Sequence, residues 1–339
     1  MDFALDETAR HVADLSDTVL REVGEHSRVS QALSGTAGYD ETAWKAMAQA
    51  GLLGLAVPAQ FGGDGLGAVE VATVLTAVGR QAAPVPAFAT LALGVLPLVR
   101  LGAADQLTGV ADGAVFTAAL SALTTSDDGV YGRARAVPYA LQAQLILLAT
   151  DVGIALVSPG DDGVTLTRTT TSTGMPEYTV ECEGVRPRHV VRGTLADLEV
   201  CALAGAAALA DGVLAGALEL TAEHVRTREQ FGRPLAVFQA VSQQIAEVYV
   251  AARTMHLAAT TVNWQLATAR VSEADLQIAA YWLAAEVPPA LQVCHHLHGG
   301  LGVDISYPLH RYYSTAKDLA RLVGGADLRL ERIAACTSS

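Results

Sequence analysis

The sequence predicts a mostly α protein with a β-barrel in its middle: an N-terminal helical domain, a small antiparallel β domain and a C-terminal four-helix bundle. Three observations carry this expectation. Up to about residue 110 apolar residues recur with helical spacing; from 111 to 197 the chain breaks into short β-rich runs between Asp, Gly and Pro turns; from 198 long Ala, Leu, Val and Gly stretches return. The expected divisions are therefore 1–110, 111–197 and 198–339. With 339 residues, 51% of them apolar, the chain is long enough to bury a large core.

In the first part, residues 8–25 and 41–50 have helical periodicity, and Gly51 stands where a helix C-cap belongs. The glycine-rich run Phe61-Gly62-Gly63-Asp64-Gly65-Leu66-Gly67 lacks the strand before it and the Lys-Ser/Thr after it that a phosphate-cradling loop needs, so it reads as a tight turn between helices. In the second part, segments 115–122, 129–137, 143–149, 153–157, 163–168, 178–183 and 189–191 alternate with Asp-Asp-Gly and Ser-Pro-Gly turns, as in a small antiparallel barrel or sandwich. In the third, residues 198–228 are apolar on nearly every face, as expected of a helix buried in a bundle. A second helix is expected over 236–270, a third over 272–298 with a kink at Pro288-Pro289, and one or two more over 316–335, interrupted at Gly324-Gly325. Bundles with such small-residue faces often continue across a subunit interface.

Composition excludes several classes. The formal net charge of −13 offers no basic face to nucleic acid, and no lysine/arginine cluster marks a membrane surface. The acidic start, Met1-Asp2-Phe3-Ala4-Leu5-Asp6, lacks the basic region of a secretory signal. Glu199, Asp211 and Glu219 interrupt the longest apolar run, so no membrane span of about 20 residues is expected. Cys182, Cys201, Cys294 and Cys336 lie far apart and form no disulfide framework, which fits a reducing cytoplasm. Of Cys294, His295, His296 and His298, only 294 and 298 share a helix face and no second cluster closes the set, so no metal site is expected.

Two stretches organise the rest: Arg226-Thr227-Arg228-Glu229-Gln230-Phe231-Gly232-Arg233-Pro234 running on to Phe238-Gln239, and His296-Leu297-His298-Gly299-Gly300-Leu301-Gly302. Taken singly, Arg228 reads as a surface ion pair with Glu223 or Glu229, and Phe231 and Phe238 as core residues. Together they offer a guanidinium fork for a pyrophosphate, a flat apolar face, a side-chain amide and glycine backbone uncovered by side chains, which is what an adenine dinucleotide asks for.

With Arg-x-x-Phe-Gly followed by Phe-Gln, and Gly-Gly-x-Gly followed by Tyr307-Pro308, the chain resembles the acyl-CoA dehydrogenase family over nearly its whole length, thinly in the middle and well at both ends. The resemblance implies FAD as cofactor. It makes Arg228 the pyrophosphate donor, Phe231 the ring against the adenosine and Gln239 a polar contact to it. His296 stands where the family usually has glutamine, and Gly299 and Gly300 present backbone to the adenine end. In the family these residues reach across a dimer interface to a flavin whose ring lies in the other subunit.

Against that pattern this sequence has losses. The Thr-Glu-Pro and Trp-x-Thr segments that seat the flavin ring are absent, Leu120–Ser126 standing where the first belongs. The catalytic glutamate's usual position is taken by Val323, and its minority position on the first bundle helix by Ala202, with Leu203 at a nearby arginine position. Glu199 and Asp327 remain as shifted candidates for the general base that α-proton removal needs. The resemblance thus implies the short, non-catalytic subunit of an actinobacterial α2β2 dehydrogenase acting on CoA thioesters of steroid side chains. Its larger partner would supply the flavin-ring pocket, the base and most of the acyl-CoA groove. The alternatives are a self-sufficient homo-oligomeric dehydrogenase with a shifted base, or a flavin-free scaffold of the same fold.

Overall fold

The computed structural model describes residues 6–21 and 26–337. The acidic start before Asp6 and residues 22–25 at the end of the first expected helix lie outside the described residues. Helix α1 (Glu7–Leu20) begins at Asp6, whose carboxylate accepts from the Ala9 N–H, and α3 (Glu41–Gln49) begins in the same way at Asp40; α2 (His26–Ser34) lies between them. At the start of α4 (Ala68–Arg80) the Glu70 carboxylate accepts the Gly67 N–H. A π-helical stretch, Phe88–Val95, apolar except for the buried Thr90, continues into α5 (Leu96–Arg100).

The middle of the chain forms β1 (Val115–Ala122), β2 (Thr124–Ser126), β3 (Gly129–Pro138), β4 (Ala143–Ala149), β5 (Ile154–Val157), β6 (Val164–Thr169), β7 (Glu177–Val185) and β8 (His189–Val191). They make two four-stranded sheets, ordered β1-β4-β5-β8 and β2-β3-β7-β6, and not the closed barrel expected from sequence. Nor is the pairing wholly antiparallel, because β1 and β4 run parallel, with Phe116 opposite Leu145. The connection between them runs through β2 and β3 in the other sheet, a crossover long enough to bring the chain back in the same direction. All of β5 and nearly all of β4 are buried, which explains their unbroken apolar runs. One face of this sheet is covered by the Phe88–Val95 helix, where Gly94 leaves room for Phe116, and β1 packs against β3 of the second sheet. Burial is thus completed by layering, and closure into a cylinder is not needed.

The remaining helices are α6 (Leu195–Thr227), α7 (Gln239–Ala267), α8 (Glu273–Ala285), α9 (Val287–His298), α10 (Leu309–Leu322) and α11 (Gly325–Thr337). The expected kink at Pro288-Pro289 is a break: α8 ends at Ala285, Glu286 caps it, and the prolines occupy the first turn of α9, where a missing N–H costs nothing. By length and composition α6 could cross a membrane, contrary to the expectation from its interrupting acids; yet 89% of its apolar stretch is buried inside the protein, as in a core helix. It packs against α4 at glycines. A Cβ on Gly79 would overlap the Leu209 carbonyl, and one on Gly212 would overlap the Thr76 carbonyl.

Candidate functional site

Helix α6 runs out at Arg228, whose backbone turns extended (φ −74°, ψ 125°) while its N–H still bonds the His224 carbonyl at 2.8 Å. A minimal hairpin follows, with β9 (Glu229–Gln230) antiparallel to β10 (Arg233–Pro234). The two residues between them, Phe231 (φ 56°) and Gly232 (φ 77°), are both left-handed, as a two-residue turn that matches strand twist requires. Glycine adopts this freely; phenylalanine does so under strain. The Phe231 side chain is nevertheless 91% exposed, its ring edge-on to Phe238 at 6.2 Å between ring centres. The Arg233 guanidinium lies 4.4 Å over the Phe238 ring, fixing the corner from which α7 departs.

Beside this corner lies an open cavity of about 700 Å³. One wall comes from the end of α6 and the hairpin (His224, Thr227, Arg228, Gln230, Leu235), the other from the end of α9 (His296 to Leu301). The structure therefore brings together four of the six residues singled out from sequence: Arg228, His296, Gly299 and Gly300. Phe231 and Gln239 stand outside the cavity lining, both exposed. Glu223, one of the ion-pair partners that would have made Arg228 merely superficial, is instead held by Arg226 at 2.6 Å. At Gly299 the chain leaves α9 with φ 58°, and no atom lies within 4 Å of where a Cβ on Gly299 or Gly300 would stand, so their backbone is open to a ligand.

Sequence reasoning missed the feature that joins the two walls. The imidazoles of His224 and His298 stack, 4.3 Å between centres and 20° from parallel. The Nδ1–H of His298 donates to the Cys294 carbonyl at 2.8 Å, which leaves its Nε2 to accept from the Tyr307 hydroxyl at 3.1 Å. Burial pushes His298 down to about 4, with His224 and His295 adding to the effect. His224 is lowered by burial and by Arg228, and His295 by burial and by His310. The sequence places His224 four residues before Arg228, in the last turn of α6, but nothing in it pairs His224 with His298.

A permanent cation, an imidazole platform and uncovered glycine backbone fit the pyrophosphate and base of an adenine nucleotide. The cavity is open on one side. Leu301 on its edge is exposed, and Val303 (77%) and Ile305 (74%) follow it in the chain, also exposed.

A second cavity, of about 450 Å³, lies between the end of α4, residues 82–89, the Pro138-Tyr139 corner, the β6–β7 connection and α10. Two carboxylates line it. Glu177 accepts from the Thr169 hydroxyl and pairs with Arg321; Asp318 accepts from the N–H groups of Ser172 and Thr173 and from the Thr173 hydroxyl. Val323 and Ala202, which the resemblance puts at the two base positions, are buried. Of the shifted candidates, Glu199 lines a different cavity with Leu203 and Arg332, and Asp327 is exposed on α11.

Comparison with known proteins agrees with this architecture. The model of the acyl-CoA dehydrogenase N-terminal domain matches residues 7–110, and that of the acyl-CoA dehydrogenase C-terminal domain matches residues 201–336. The chain is similar to acyl-CoA dehydrogenase FadE28 of Mycobacterium tuberculosis, 46% identical over 87% of this chain and 92% of that one. Among solved structures it resembles the ChsE4-ChsE5 complex from Mycobacterium tuberculosis (TM-score 0.93, 30% identity, covering 100% of this chain and 99% of that chain). It also resembles a variant of the Tcur3481-Tcur3483 steroid ACAD (TM-score 0.91, 30% identity, 98% of each chain). With both terminal parts matched and close similarity along most of its length, the chain belongs to the acyl-CoA dehydrogenase family.

Proposed function

We propose that this chain is the non-catalytic subunit of a heteromeric FAD-dependent acyl-CoA dehydrogenase, holding the ADP side of a flavin whose ring sits in a larger catalytic partner. The observation that carries the reading is a contrast between its two cavities. The nucleotide-type cavity is open, with Arg228 and the glycine turn available. The cavity between the sheets and α10 has carboxylates, but both are committed to structural hydrogen bonds. Removal of an α-proton needs a carboxylate within reach and free to accept, so this chain lacks its share of the chemistry.

Arg228, His296, Gly299 and Gly300 would hold the ADP moiety, with Phe231 and Gln239 reaching toward it from the exposed corner. When bound, FAD supplies the hydride acceptor. The exposed apolar side chains at the corner and beyond the glycine turn, Phe231, Leu301 and Val303, are where the partner would complete the site. Resemblance to a two-component complex and to a steroid ACAD supports an α2β2 assembly acting in the cytoplasm on the CoA thioester of a steroid side chain, bound mainly by the partner. The division into parts at residues 110 and 197 belongs to the same reading.

The test is expression of the chain alone and with candidate partners, measuring flavin per polypeptide and turnover with acyl-CoA. No flavin on the lone chain and one per unlike pair is expected, with Glu199→Gln leaving turnover of the pair unchanged. A yellow lone chain that reduces an electron acceptor would establish a self-sufficient enzyme instead. A pair whose flavin content ignores Arg228→Ala would make the chain a scaffold.

A further inference from the structure

We propose that His224 and His298 are positioning residues for the nucleotide: their stack ties the Arg228 wall of the cavity to the Gly299-Gly300 wall, and it does so only while both rings are neutral. The inference rests on the nucleotide reading of this cavity and adds to it which side chains set its width.

The geometry gives the reason. Arg228 and the glycine turn sit at the ends of two different helices, α6 and α9, and the wall residues His224 and His298 are in face-to-face contact. On the α9 side His298 is fixed at both nitrogens, by the Cys294 carbonyl on its own helix and by the Tyr307 hydroxyl from the segment before α10. His224 therefore stacks on a ring that cannot rotate away, and the distance between Arg228 and the glycines follows from that contact. The groups that face the pair are Arg228 on the α6 side, His295 on α9 and Tyr307 ahead of α10; two of them are cationic or become so in acid.

A proton on either ring would set two parallel imidazoles against each other as charge on dipole, next to Arg228. Burial holds both rings below the ordinary histidine value, with Arg228 adding to it at His224 and the His224 and His295 rings adding to it at His298, which falls to about 4. By linkage, separating the rings takes up protons once the solution falls below about pH 6.5, so acid favours the open arrangement.

The experiment titrates FAD into the full chain with carbon-13 labelled histidine, following the ring signals of His224 and His298 at about pH 7.5 and about pH 5. The wild-type chain is expected to bind FAD weakly, through this half-site alone, and to lose about tenfold in affinity at the lower pH. His224→Ala is expected to lose about fivefold or more at neutral pH. His224→Phe, which stacks but does not titrate, keeps the neutral affinity within about twofold and loses no more than about threefold in acid. Arg228→Ala weakens binding equally at both values. His224→Ala binding like wild type, or His224→Phe falling with acid as steeply as wild type, overturns the role of the stack while Arg228→Ala still weakens binding. An FAD response absent in the wild type, or indifferent to Arg228→Ala, sinks the nucleotide site itself.

Discussion

Asp318 of α10 holds Thr173 of the β6–β7 connection twice, accepting its N–H at 2.9 Å and its hydroxyl at 2.8 Å, while the other carboxylate oxygen takes the Ser172 N–H at 2.9 Å. Three bonds to one charged group tie a bundle helix to the sheets, and with the Arg321–Glu177 pair beside them they make that connection part of the fold. Bonds to a charged acceptor contribute more than neutral ones, and removing it strands two backbone donors. Asp318→Ala is expected to lose about 2 kcal/mol, and Asp318→Asn, which keeps one acceptor, about 1 kcal/mol. Urea unfolding measures both; equal stability for the three proteins would show the contacts to be incidental.

Gly212 is where α4 and α6 touch backbone to backbone. Its Cβ would overlap the Thr76 carbonyl and crowd the Arg80 N–H, neither of which can yield without moving a helix. Gly212→Ala is expected to cost about 3 kcal/mol or to prevent accumulation of folded chain. Gly300→Ala is the control, since nothing lies within 4 Å of its Cβ and its φ is not in the left-handed region. Thermal unfolding of the pair should separate them clearly, with the second variant within a degree or two of wild type, roughly the shift of a few tenths of a kcal/mol.

Phe231 keeps a left-handed backbone and an exposed aromatic ring, two costs borne by one residue. Asparagine followed by glycine is the preferred filling of such a turn, so Phe231→Asn is expected to stabilise the isolated chain by about 1 kcal/mol. The same change should weaken association with the partner and lower flavin retention, because the ring is what the corner offers outward. A variant that is both more stable and fully competent in the complex would show the phenylalanine to be without function.

Much of this was legible in the chain. Helical spacing placed α1, α3 and the long bundle helices, and turn residues placed seven of the eight strands within a few positions. Periodicity says nothing of which strand lies beside which, so the parallel β1–β4 pair and the open pair of sheets could not be read. The prolines at 288 and 289 marked an interruption, but whether a chain kinks or restarts depends on packing around Glu286. At the site, Arg228 and the glycine turn announced themselves through residue type. The stack of His224 on His298 did not, because two histidines 74 positions apart meet only through the packing of α6 on α9.

The protein's histidines pull its stability in opposite directions with pH, and one of them can be isolated. His256 of α7 bonds through Nδ1 to Asp211, a buried carboxylate of α6, at 3.0 Å, and that bond raises it above the ordinary histidine value against the effect of burial. A histidine whose folded value is raised contributes stability that is complete below the unfolded value, about 6.5, and is lost as pH rises through the folded value. His298, His224 and His295 are lowered, so the stability tied to their neutral forms is present above about pH 6.5 and is lost on acidification, for His298 down to about 4. The wild-type curve should therefore decline on both sides of near-neutral pH. The His256 side chain is 45% exposed, so solvent screening holds its share to about 0.5 kcal/mol. His256→Gln is expected to remove that share and flatten the alkaline limb while leaving the acid limb intact, as read from urea midpoints taken between about pH 5 and about pH 8.5. An alkaline limb unchanged in the variant would mean that the Asp211 bond stabilises the fold no more than the water it displaces.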